Sequence, residues 1–131
     1  MGSFADYLEL KVLDHVTGKA SYTMPTIYVG LSTADPLDTA AGLAEPSGNN
    51  YSRVTTSAAT WQVAASGATQ NILAITFPTA SGSWGTITHF AGFDNSSGGN
   101  MLWHGQLSAS KAVGSGDTPS FAIGDLDITL D

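Results

Sequence analysis

The sequence predicts a mainly β protein: an antiparallel β-sandwich or jelly-roll-like domain preceded by one short N-terminal α-helix. Two observations carry this expectation. Apolar residues recur at helical spacing only before Lys19. After it, short runs of alternating apolar and polar residues follow one another, broken every 8–15 residues by clusters of Gly, Pro, Asn, Asp and Ser. About seven or eight strands at that spacing suit a sandwich or jelly roll. No internal repeat is visible, so the chain reads as a single domain over 1–131, with a helical segment 1–18 and a β-sandwich 19–131.

In the helical segment Phe4, Leu8, Val12 and Val16 recur every four residues, and Ala5, Tyr7 and Leu13 broaden the stripe. Ser3 is the expected N-cap, Asp6 suits the first-turn dipole, and Thr17-Gly18 supplies the stop. The first strand is Thr26–Ser32, with Ile27, Val29 and Leu31 on one face and Asp35-Pro36 at its end. From Asp35 to Asn50 runs a loop without periodicity, and loops of that length tend to be functional or mobile. Shorter strands are expected over Tyr51–Thr56 and Thr60–Ala64, and a stronger one over Ile72–Phe77, stopped by Pro78. The best-defined unit is a hairpin, Thr86–Phe93 and Met101–Leu107, joined by the turn formers Asp94–Asn100. Gly114–Asp117 marks another turn. In the last strand, Phe121–Leu130, the apolar parity slips at Gly124-Asp125, as a bulge would make it do.

Composition excludes several function classes. The 131 residues hold 4 Lys+Arg against 11 Asp+Glu, a net charge of −7. Binders of a phosphate backbone or an anionic membrane need clustered cations, so neither nucleic acid nor membrane is an expected partner. Charged residues make up only 11% and hydrophobic residues 42%, which is too apolar for a disordered acidic tail. Cysteine is absent, so thiolate metal sites, disulfides and Cys nucleophiles drop out. The start, Met1–Asp6, lacks the basic and apolar regions of a signal peptide.

No residue pattern announces catalysis, and no cofactor is expected. His15 sits on the helix; His89 and His104 lie on the two arms of the hairpin. With Asp94 opposite Asn100, His89 faces Gly105 and His104 faces Phe90, so the two rings point to opposite faces. A slip of one residue would bring them together. A metal would still need a third ligand at a recognisable spacing, and none is present. Ser83 in Ser81–Gly85 lacks the first glycine of a nucleophile elbow. Asp125, Asp127 and Asp131 punctuate a strand, and Asp38 and Glu45 lie in the long loop, so paired carboxylates are poorly supported. Trp61, Trp84 and Trp103, with Tyr28 and Tyr51, form either a sugar-stacking platform or, the commoner use in a low-charge sandwich, core.

The order of motifs resembles a known family. The helix ends in Asp14-His15-Val16, and the Met24–Pro36 segment contains Tyr28-Val29-Gly30-Leu31-Ser32-Thr33-Ala34-Asp35-Pro36. Asn50-Tyr51-Ser52-Arg53, Ile75–Pro78, Trp84-Gly85-Thr86-Ile87-Thr88-His89 and Gly98–Leu102 follow. Over essentially its whole length the chain is similar to small virion proteins of tailed bacteriophages, usually labelled tail-fibre-like. The resemblance implies a non-enzymatic structural role, with no catalytic residues to carry across. A compact β domain also resembles the proteins that cement phage heads, commonly as trimers. Head decoration is therefore the first expectation, with the major capsid protein and further copies of this chain as partners. A tail or tail-fibre component that binds a host receptor or glycan is the second. The expected contact residues are Phe4, Tyr7 and Leu8 on the helical flank and Asp35, Leu37 and Leu43 on the long loop. Assembly in a bacterial cytoplasm onto the virion would suit the absence of cysteine and leader.

Overall fold

Turn chemistry at Asp94–Asn100 makes the hairpin the centre of the fold. The Asp94 carboxylate accepts from the Asn100 backbone N–H at 2.7 Å and from its side-chain amide at 2.9 Å, closing the turn. The computed structural model describes residues 2–130. Its elements run β1 (Gly2–Phe4), α1 (Asp6–Val16), β2 (Tyr28–Ser32), β3 (Val54–Thr55), β4 (Ala68–Gln70), β5 (Ile75–Thr76), β6 (Gly85–Phe93), β7 (Met101–Val113), β8 (Ser120–Phe121) and β9 (Asp127–Thr129). Seven strands form one sheet in the order β3-β2-β6-β7-β1-β9-β4, and β5 with β8 forms a second, small sheet. The mainly β, sandwich-like architecture with one helix is as the sequence predicts. Pairing is antiparallel except where β1 lies parallel to β9.

The large sheet buries both faces. On one, Val29, Leu31, Ile87, Phe90 and Trp103 pack with Phe77, Trp84 and Leu126 into the main core. On the other, Ala91, Phe93 and Met101 pack with Ala5 and are covered by Ala40 and Leu43 of the long loop. Removing such surface from water is worth about 25 cal/mol per Å² of apolar area, so each face contributes. Gly92 makes the first face possible: the Trp103 indole lies where a Cβ would stand.

Several sequence expectations shift. The helix starts at Asp6, not Ser3, because Ser3 is spent in β1, opposite His104 and Thr129. Ala5 is the N-cap without a side-chain bond, and the Asp6 N–H donates instead to the Asp38 carbonyl at 3.1 Å. Thr60–Ala64 is no strand: a 3-10 turn, Ala58–Thr60, precedes an isolated bridge between Trp61 and Asn71. The strand expected over Ile72–Phe77 keeps only Ile75–Thr76. The last strand does not bulge but breaks, and its halves join different sheets as β8 and β9. Gly124, at φ +83°, turns the chain between them. Asn71, with no exposed surface, holds that turn. Its side-chain oxygen accepts from Leu126 N–H, and its amide donates to the Leu73 and Ala122 carbonyls, each at 2.9 Å.

Candidate functional site

The long loop is a cover for its own sheet. Ser32, fully buried at the end of β2, accepts from the Ala44 N–H at 3.1 Å, and the Thr33 N–H donates to the Ala44 carbonyl at 3.0 Å. These bonds fold the chain back so that Ala40 and Leu43 reach Phe93 and Met101. Gly30 leaves room underneath: a Cβ there would stand 2.8 Å from Glu45 Oε1 and 2.9 Å from the Phe93 ring.

A charged node pins the loop. Arg53 donates to Glu45 through Nε at 2.9 Å and Nη2 at 2.6 Å, a bidentate pair, and its side chain is 5% exposed. Its Nη1 reaches the Asn95 and Gly98 carbonyls in the β6–β7 turn, and its guanidinium carbon stands 3.5 Å above the Phe93 ring. Tyr51 donates to Glu45 at 2.7 Å and accepts from the Leu31 N–H at 3.0 Å. Burial first, and then the Glu45 carboxylate, push the Tyr51 phenol far above the ordinary tyrosine range. One node thus ties the loop, the approach to β3 and the hairpin tip together. No motif or spacing in the sequence marks it. The one available signal was the scarcity of cations, since a chain with only four Lys+Arg has few to place at random.

The histidines require a correction. Near the turn the register is as expected, with Phe93 opposite Met101, but Leu102 is an extra residue on β7 and shifts everything beyond it by one. His89 therefore faces Gln106, His104 faces Ala91, and the two imidazoles share the loop-covered face. Each meets a loop carboxylate separately. His104 Nε2 lies 2.7 Å from Asp38, while His89 Nε2 lies 4.0 Å from Asp35, with its Nδ1 2.8 Å from the Thr88 hydroxyl. The arrangement clasps the loop to the sheet; with both acids more than half exposed, such pairs contribute little to stability. Neither imidazole lines any of the three cavities described for the molecule. Among the described residues no group of three or more His, Asp or Glu is placed to hold a metal ion.

The expected contact residues divide. Phe4, Tyr7 and Leu8 pack against the main core, with Leu8 buried. Leu43, on the inner side of the loop, is half-buried against the Phe93 and Met101 cluster. Asp35 and Leu37 stay exposed. All three tryptophans belong to the core: Trp84 and Trp103 are buried, and Trp61 meets Trp103 edge-on while donating to Thr56. They offer no platform for stacking a sugar.

These features describe a β module whose long loop is fastened to its own sheet by Arg53–Glu45 and two His–Asp pairs. Residues 3–129 match the family described as Podophage GP4 fiber I protein gp80. The chain belongs to that family of phage fibre proteins and is accordingly a virion structural component. No curated protein matches it.

Proposed function

We propose that the protein is a non-enzymatic module of a podophage tail fibre that works by association with other virion subunits, copies of itself included. The observation that carries this reading is the fibre-family match over 3–129. The sequence alone put head decoration first, with the major capsid protein as partner; membership of a fibre family moves the weight to the tail. Low charge and a self-fastened surface suit a part assembled in the bacterial cytoplasm and exposed after lysis.

Particles made without the protein test the reading. A fibre module predicts heads that package DNA and hold it on heating as the wild type does, with adsorption to host cells reduced at least ten-fold. Heads that leak DNA on heating or chelation, with adsorption unchanged, would point to decoration instead.

A further inference from the structure

The core opens between β6 and β7. Between β6 and β7 the single residue Thr88 lies opposite four, Leu107–Ser110, since Ile87 pairs with Lys111 and His89 with Gln106. The strands part there, and β-bulges re-aim side chains next to binding sites. The result is a cavity of about 430 Å³ whose floor is Leu31, Ile87, Val113 and Phe121. Lys111 stands at its rim, and its ammonium has no ion-pair or hydrogen-bond partner among the described residues. The other rim groups are already engaged: Asp117 accepts from Gly114 N–H, Thr118 bonds Thr79, and Ser120 bonds Thr76. The site therefore takes an apolar side chain, and the Lys111 ammonium offers donors to an acceptor group that accompanies it. Cavities of this size take groups of that kind.

The same chain presents that combination on its other face. Leu37, 49% exposed, projects from the loop between Asp35 and Asp38, whose side chains are 57% and 58% exposed and whose contacts with His89, His104 and the Leu37 N–H all use Oδ1, which leaves each Oδ2 to a partner. Its backbone is left-handed, at φ +62°, which disfavours a leucine relative to glycine. The loop enforces it: Leu37 N–H donates to Asp35 Oδ1, Ala40 N–H donates to the Leu37 carbonyl, and Gly42 N–H donates to the Pro36 carbonyl, each at 3.0 Å. A leucine kept both strained and exposed suits presentation to a partner.

We propose that Leu37 of one copy seats in the Leu31–Ile87–Val113–Phe121 cavity of the next, with its flanking carboxylates against Lys111. This deepens the self-association in the function proposed above and rests on that reading. Knob and cavity lie on opposite faces of the large sheet, so the contact is heterologous: it closes as a ring or propagates as a filament, and each copy keeps one unused half at an open end.

Sedimentation velocity across a concentration series tests it. The wild type associates as concentration rises, and Leu37→Asp and Lys111→Glu each lower the association constant at least ten-fold. Leu37→Gly does the same while raising the melting temperature, which separates loss of contact from loss of fold. An equimolar mixture of Leu37→Asp (intact cavity) and Lys111→Glu (intact knob) forms dimers and nothing larger. A monomeric wild type at the highest concentration, variants that associate as the wild type does, or a monomeric mixture would each overturn the proposal. None of these outcomes bears on where the protein sits in the particle, so they leave the fibre reading to its own test.

Discussion

Asn71 makes three side-chain hydrogen bonds at the point where the chain passes from the small sheet to the large one. Asn71→Ala leaves the buried Leu126 N–H without a partner and removes the two part-buried bonds to the Leu73 and Ala122 carbonyls, at a cost of about 2–3 kcal/mol. Asn71→Asp costs more, because a carboxylate cannot donate to Leu73 and Ala122 and is itself buried. Urea unfolding followed by fluorescence of the core tryptophans reads both losses. Tyr51 supplies a pH dependence. Its folded-state pKa is raised, chiefly by burial, above the ordinary value of 10.0. The unfolded chain therefore releases this proton first, so the stabilisation is complete below about pH 10 and lost as pH rises beyond it, by about 1.4 kcal/mol per unit. Stability measured from pH 8 to 11 falls more steeply in the wild type than in Tyr51→Phe, and equal slopes would refute the assignment. Tyr51 could be read from the sequence as a core aromatic, but neither its partners nor those of Asn71 were legible there. A buried asparagine looks like any turn former, and Arg53, Tyr51 and Glu45 become neighbours only once the loop folds back.

At the scale of elements, the helix shows what periodicity can and cannot reveal. The four-residue stripe located α1 and its buried member, Leu8, but Val16 of the same stripe is 69% exposed. Leu10 and Leu13 are also exposed, at 64% and 58%. Leu8→Ala should destabilise by about 2–4 kcal/mol, whereas Leu10→Gln and Leu13→Gln should each stay within about 0.5 kcal/mol of the wild type. Chemical denaturation of the three variants checks this ordering. The hairpin, the first strand and the loop were legible because their turn residues and alternation are strong. The strands β1, β4 and β9 have three residues each, too few for a period to register. The histidine face depended on one extra residue, Leu102, whose place in the register no sequence pattern marks. The loop could be read as a loop but not as a cover, since Ala40 is too small to signal burial and Leu43 alone is a faint apolar mark.

For the whole molecule, we propose action by fitting against other subunits. A net charge of −7, a sheet covered on both faces and a loop fastened by Arg53 stand beside exposed apolar side chains such as Leu10, Met24 and Leu37. Fibre-family membership makes the protein a virion component, and the position we propose for it within the particle is the tail. Gold-labelled antibody against the protein, viewed on intact particles by electron microscopy, measures that position directly. The account predicts gold confined to the tail and its fibres. Gold spread over the head would contradict it.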